Sequence, residues 1–233
     1  LTMTYSNTTT LGFIGLGSMG LPMASNMLKS ELTMYLYDLE PARYASLQGS
    51  KTHQCDSPKD VANKADIIFT CLPSLEAAHF VALDPSKGII QGSNVQSIVN
   101  LGTTGSQYAK EVSEALMERN IHFLDSPISG GPAGAANATL AVMCSGHKAT
   151  YDFLCQKVYP YMSEKQFYVG DDAGMAQVMK LVNNINLFMQ LAGTLESLTL
   201  GEKAGLNPSQ MIEVINASSG LSAILRQRSN QRF

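Results

Sequence analysis

The segment Gly15-Leu16-Gly17-Ser18-Met19-Gly20 constrains this chain more than any other, because it follows the apolar run Leu11–Ile14 directly and opens a helical pattern. Glycines at that spacing fit a strand-turn-helix corner. Gly15 permits the tight turn, Gly17 lets backbone approach a pyrophosphate, and Gly20 allows close packing of helix on strand, while the helix N-terminus attracts the anion. The spacing alone is a weak signal, and its context strengthens it. A second extended run, Thr33–Tyr37, follows, and Asp38 closes it 18 residues after Gly20, near the ~20-residue offset of the acid that binds an adenosine ribose. An acid there suits the two free ribose hydroxyls of NAD and repels the 2′-phosphate of NADP. Arg43, five residues further on, is the group that could reverse this preference; it reads more simply as an exposed helix arginine, and NAD is the expected cofactor over NADP.

Beyond that corner, short β-branched or apolar runs alternate with helical patterns through the first two thirds of the chain, the signature of parallel βαβ units. The strands are expected at Leu11–Ile14, Thr33–Tyr37, Asp66–Thr70, Val95–Asn100, Ile121–Leu124, Leu140–Cys144 and Gln166–Val169. The clearest helices are Met19–Lys29, Ser106–Arg119 and Thr150–Tyr159. This predicts an α/β fold, a Rossmann-like doubly wound parallel sheet covered on both faces, over residues 1–170. From Ala173 to about Lys203 there is no proline and only helical spacing of apolar residues. A helix of about 30 residues spans about 45 Å, more than a small domain needs internally, so it is expected to connect two domains. Gly205 and Asn207-Pro208 supply a stop and a restart before a last helix at Pro208–Ala217. Residues 171–233 therefore read as the first part of an all-α domain for substrate and oligomerisation. The start at Leu1 and the stop at Phe233 suggest a fragment.

Composition excludes several classes of function. Hydrophobic residues make up 45% and charged residues only 15%, with a formal net charge of -3 and no polybasic run; a sizeable core is available, and nucleic acid is not an expected partner. The long uncharged stretch Leu1–Leu28 is interrupted by Gly12, Gly15, Gly17, Gly20 and Pro22, so neither a membrane span nor a secretory signal is expected. Cys55, Cys71, Cys144 and Cys155 lie far apart with no CxxC pair, which suits buried thiols in a reducing, cytoplasmic compartment. His53, His79, His122 and His147 show no metal-ligand spacing and read as loop or surface residues. No metal is expected.

Ligands of open α/β sheets bind beyond the carboxyl ends of the strands. Leu72-Pro73-Ser74, Asn100-Leu101-Gly102-Thr103-Thr104 and Asp125-Ser126-Pro127-Ile128-Ser129-Gly130-Gly131 should all face that crevice. Ser129, Gly130 and Gly131 offer a hydroxyl and unobstructed amides suited to a carboxylate; an ordinary glycine-rich loop is the alternative. Lys180 stands within the long apolar helix, with Asn184 one turn later on the same face. An amine of depressed pKa there could take the proton of a hydroxyl whose carbon gives up hydride. Spacing alone leaves open a solvent-facing Lys and Asn on an amphipathic helix.

The order of these motifs resembles the β-hydroxyacid dehydrogenase family. Gly12-Phe13-Ile14-Gly15-Leu16-Gly17-Ser18-Met19-Gly20-Leu21-Pro22-Met23-Ala24 is similar to its N-terminal signature, Asp125 to Gly131 to its substrate-binding segment, and Gly174-Met175-Ala176-Gln177-Val178-Met179-Lys180-Leu181-Val182-Asn183-Asn184 to its catalytic helix. The resemblance implies cofactor contacts from Leu72 and Pro73 on the adenosine side and from Thr103 on the nicotinamide side. It further implies substrate contacts from Ser129, Gly130, Gly131 and Asn184, and Lys180 as general acid/base. The implied activity is NAD-linked oxidation of a small 3-hydroxy acid of the 3-hydroxyisobutyrate kind; a homo-oligomer is expected because an exposed long helix with an incomplete partner domain leaves apolar surface uncovered. Gly102 before Thr103 and Asn137-Ala138 before Thr139 depart from the family pattern, as does the stop at Phe233. The competing readings are a reductase of another small carbonyl or imine substrate and a non-catalytic NAD-binding module.

Overall fold

The computed structural model describes residues 5–220. Its strands are β1 (Leu11–Ile14), β2 (Met34–Tyr37), β3 (Thr52–Gln54), β4 (Ile67–Thr70), β5 (Ser97–Asn100), β6 (His122–Asp125), β7 (Ile128–Ser129), β8 (Leu140–Gly146) and β9 (Ser163–Gly170), all in one sheet. Its α-helices are α1 (Gly20–Met27), α2 (Pro58–Ala62), α3 (Leu75–Leu83), α4 (Ser106–Met117), α5 (Gly131–Asn137), α6 (Lys148–Lys157), α7 (Met175–Lys203) and α8 (Pro208–Ala217). The strand order is β3-β2-β1-β4-β5-β6-β8-β7, with β9 on β8.

From β3 to β6 every pairing is parallel, as the sequence predicts, and β1 lies between β2 and β4. The direction changes at β8, which runs antiparallel to β6 and β7. The connection from Ser129 to Leu140 holds only the short α5, below the dozen or more residues that a parallel crossover requires. The strands β3 and β7, of three and two residues, are too brief for a periodic signal.

Alternation along the parallel strands sorts their side chains between two cores. Phe13, Ile67, Phe69, Val99 and Leu124 face one with Met23 and Met27 of α1. Ile14, Ile68, Ile98 and Phe123 face the other with Val61 of α2 and Tyr108 and Val112 of α4. Both faces of a parallel sheet need such cover. Of the histidines, His53 is a surface residue on β3, whereas His79 lies partly buried in α3 and His122 partly buried at the start of β6, where its ring stacks on His147 at 3.6 Å. All four cysteines are free thiols, with Cys55 and Cys144 buried.

The chain divides into two compact units, the first ending at Lys180 and the second beginning at Leu181. Within the second, α7 ends as its sequence dictates. Gly205 has φ +92, and the amide of Leu206 donates to Gly201 O at 2.9 Å, the six-to-one bond of a glycine-terminated helix. The Asn207 side chain then caps α8 by accepting from the amides of Ser209 and Gln210, with Pro208 in the first helical turn, where its missing N–H costs nothing. Among the described residues no helix is long and apolar enough to cross a membrane.

Candidate active site

Parallel register sets the carboxyl ends of five strands level. Ile14 pairs with Tyr37 and with Thr70, Thr70 with Asn100, and Asn100 with Asp125. The residues that follow these positions therefore emerge along one edge: Gly15, Asp38, Cys71 to Pro73, Leu101 to Thr103, and Ser126. The strand order reverses between β1 and β4, which makes the β1 end the switch point where an open sheet binds its ligand.

The glycine corner divides into structural and open positions. A β-carbon on Gly15, whose φ is +96, would stand 2.2 Å from Cys71 O, and one on Gly20 would stand 1.9 Å from Gly15 O. Those two glycines hold β1, β4 and α1 together. A β-carbon on Gly17 would meet nothing nearer than Arg43 Nη1 at 3.5 Å, so Gly17 fronts open space. No side chain caps the N-terminus of α1; within its first turn the Leu21 amide donates to Gly17 O, the Met23 amide donates to Met19 O, and Pro22 has no N–H. Leu16 is buried and Ser18 exposed, with Met19 packed partly against the core. This corner fits a pyrophosphate.

Asp38 lies at the end of β2, its side chain 8% exposed. Its carboxylate accepts from the Leu16 amide at 2.6 Å and from the Glu40 amide at 2.8 Å, which ties the acid to the glycine turn. Arg43 stands 3.5 Å from Asp38 and makes a two-pronged pair with Glu40, Nε to Oε2 at 3.0 Å and Nη2 to Oε1 at 2.7 Å. It is thus partly covered and held by two carboxylates, where the sequence suggested a plain exposed arginine. Across the crevice Leu72 comes within 3.2 Å of the position of a Gly15 β-carbon, Pro73 is exposed, and Thr103 is exposed on the loop after β5. Ser129 of β7 pairs with Ala141 of β8, and Gly130 and Gly131 follow with φ of +133 and +63, conformations that glycine adopts without strain.

Sequence reasoning passed over one cluster here. Gln177, in the first turn of α7 and only 3% exposed, donates to Asp125 Oδ1 at 2.7 Å and to Gly102 O at 2.9 Å. Its oxygen accepts from the amides of Thr104 and Gly105 at 3.0 and 3.1 Å. Asp125 is fully buried and also accepts from Asn100 Nδ2 at 3.1 Å; burial pushes its carboxyl up to about 7, against the hydrogen bonds from Gln177 and Asn100 that lower it. Lys180, three residues beyond Gln177, is half-buried, and that burial lowers its pKa. Asn184 stands one turn further along α7, past the junction of the two units, where it accepts from Asn183 Nδ2 at 3.4 Å. Among the described residues no group of three His, Cys, Asp or Glu side chains could hold a metal ion.

Residues 10–170 match the family model described as the NAD binding domain of 6-phosphogluconate dehydrogenase, and residues 174–233 match that described as NAD-binding of NADP-dependent 3-hydroxyisobutyrate dehydrogenase. The chain is 35% identical to 2-(hydroxymethyl)glutarate dehydrogenase of Eubacterium barkeri over 91% of its own length and 70% of the relative's. It is 33% identical to human mitochondrial 3-hydroxyisobutyrate dehydrogenase over 91% of its own length and 62% of that protein's. Among solved structures, Mycobacterium tuberculosis 3-hydroxyisobutyrate dehydrogenase with L-serine superposes with a TM-score of 0.82 at 29% identity, covering 92% of this chain and 72% of that one. A Streptomyces aurantiacus imine reductase, 20% identical with a TM-score of 0.77 over 90% of this chain and 72% of its own, shares the fold.

Proposed function

Because this chain belongs to the β-hydroxyacid dehydrogenase family, we propose that it oxidises a small 3-hydroxy acid of the 3-hydroxyisobutyrate kind, reversibly, with NAD as the redox partner and Lys180 as general acid/base. The observation that carries this reading is the half-buried Lys180, its pKa lowered by burial, on a helix whose first turn is bonded to the ends of β5 and β6, on the same edge of the sheet as the glycine corner.

On this reading residues 1–170 bind the dinucleotide and residues 171–233 begin the α-helical domain for substrate and assembly. The glycine corner with Leu16, Ser18 and Met19 would hold the pyrophosphate, Asp38 the adenosine ribose, Leu72 and Pro73 the adenosine side, and Thr103 the nicotinamide side. When bound, the dinucleotide supplies the acceptor for the hydride leaving the hydroxyl carbon. Neutral Lys180 takes the hydroxyl proton as the carbon–oxygen bond becomes a carbonyl, and the ammonium returns it in the reverse direction. Lowering an amine's pKa enlarges the fraction able to act as base near neutrality. Ser129, Gly130, Gly131 and Asn184 orient the acid. The pairing of Arg43 with Asp38 and Glu40 supports NAD over NADP, since two carboxylates already neutralise the guanidinium that a 2′-phosphate would seek. The apolar side chains of Leu181, Val182, Ile185 and Phe188, each at least half exposed on α7, support a homo-oligomer.

The test follows nicotinamide absorbance with NAD and NADP against a panel of small 3-hydroxy acids, with Lys180→Ala alongside. Turnover with NAD that drops about 10²–10⁴-fold in the variant is the expected result. A folded protein that binds NADH and turns over none of the acids would overturn the proposal and favour a binding module.

A further inference from the structure

Helix α7 is fastened to the sheet before it reaches Lys180. Gly174 approaches α4 so closely that a β-carbon would stand 2.8 Å from Ser106 O, and its φ of +92 turns the chain into the helix. The amide of Ala176 then donates to Ser145 Oγ at 2.9 Å. Gln177 completes the attachment, and no donor or acceptor of its carboxamide is left over: two amides reach its oxygen, and its nitrogen reaches one carbonyl and one carboxylate. The backbone groups it holds belong to Gly102, Thr104 and Gly105, which bracket Thr103. Asn100 braces the same loop by donating to both Asp125 and Thr104 Oγ1.

Two parts of the proposed reaction centre are therefore joined through one side chain: the loop that bears Thr103, and the helical turn that leads to Lys180. Side chains on an α-helix lean toward its N-terminus, so the stem of Lys180 is directed over the turn that Gln177 anchors. We propose that Gln177, seated on the buried carboxyl of Asp125, is a positioning residue for Lys180, fixing the depth of its amine at the carboxyl edge of the sheet and its relation to the loop around Thr103. This assignment rests on the reading of Lys180 as the acid/base. A glutamine present only to fill space would not satisfy four separate partners, three of them backbone groups of a single loop.

The experiment reads the titration of Lys180 in the full chain without substrate. Lysines are reductively methylated with a carbon-13 label, and the Lys180 resonance is identified by its disappearance in Lys180→Arg. Gln177→Met matches the side chain in length and lacks its hydrogen bonds. In this variant the Lys180 midpoint is expected to rise toward that of a solvated lysine, with a smaller neutral fraction at a fixed lower pH. The rising limb of kcat/KM in the oxidation direction should move by the same amount, with the affinity for NADH little changed. Asp125→Asn still offers an acceptor to Gln177 and should keep the wild-type Lys180 midpoint, whereas Asp125→Ala should raise it. Gln177→Asn, one methylene short of spanning its partners, is the milder substitute if Gln177→Met does not fold. A folded Gln177 variant that loses thermal stability while Lys180 titrates as in the wild type would mark a merely structural glutamine and overturn the proposal. Absence of turnover in the wild type would instead overturn the dehydrogenase reading, and the titration would still decide the role of Gln177.

Discussion

Alanine placed at Gly17 and at Gly20 should have opposite effects, and the contrast isolates the cofactor cradle from the architecture that supports it. At Gly20 the new methyl would lie 1.9 Å from Gly15 O and 3.1 Å from the ring of Phe13. The carbonyl is backbone at a turn already held against Cys71, so relief requires α1 to move off the sheet. Overpacking of this kind costs about 1–3 kcal/mol, and more where backbone must shift, equivalent to a fall of about 2–12 °C in Tm for a chain of this size. At Gly17 the methyl would meet only Arg43 Nη1, at an ordinary contact distance of 3.5 Å, and the backbone is outside the positive-φ region. There the loss of unfolded-state freedom should leave the free protein unchanged or more stable by about 0.4–1 kcal/mol. The same methyl occupies the space through which a pyrophosphate would approach the backbone, so NADH affinity should fall by at least about tenfold, or about 1.4 kcal/mol. Thermal melts of the free protein and titration of NADH fluorescence measure the two effects separately. If Gly17→Ala binds NADH as the wild type does, the crevice is not the pyrophosphate site; if Gly20→Ala melts at the wild-type temperature, the steric reasoning fails.

Asp38→Asn should weaken NADH binding and strengthen NADPH binding, changing the ratio of their dissociation constants by about 10–100-fold, or about 1.4–2.8 kcal/mol; an unchanged ratio would remove Asp38 from the ribose site. Asp125, whose buried carboxyl is pushed up to about 7 from 3.8, stabilises the fold fully only below its unfolded pKa, and that stability is lost as pH rises from about 4 through about 7. Urea midpoints across this range should decline in the wild type relative to Asp125→Asn; Asn100 and Gln177 beside it do not titrate, and burial holds the nearby Tyr108 hydroxyl above its usual range. The His147 imidazole shifts in the opposite sense: burial, followed by the charge of the stacked His122, lowers it from 6.5 to about 4. The unfolded chain takes up that proton first, so stability should fall as pH drops from about 6.5 toward about 4, and His147→Gln should lack this component in the same urea series.

The elements that the sequence revealed are those whose physics is local. The alternation of Phe13 with Ile14, and of Ile67 with Ile68 and Phe69, announces strands buried on two faces because each residue's destination depends only on its parity. The glycine corner was legible for a similar reason, since turn, helix start and strand are contiguous. Asp38 is one strand away, and parallel pairing sets its end level with Gly15. What escaped was carried by register across the whole sheet. Gln177 is 52 residues from Asp125 and 75 from Gly102, and a glutamine at helical spacing between apolar neighbours reads as a solvent-facing position until the loop after β5 is seen to need its carboxamide. Asn26 escaped in the same way: in sequence it interrupts an apolar run, and in the fold it is buried, donating to Ala135 O and Ala136 O to tie α1 to α5. Buried amides are costly without partners, and both of these find theirs far away in sequence, Asn26 on carbonyls of α5 and Gln177 on the loop after β5 and the Asp125 carboxylate. Polar residues that fasten a helix to a sequence-distant element therefore give no periodic signal of their own. The same remoteness lets Gln177 link the loop around Thr103 to the helix of Lys180, so that the neighbour most able to govern the proposed acid/base is the one its own helical pattern disguises.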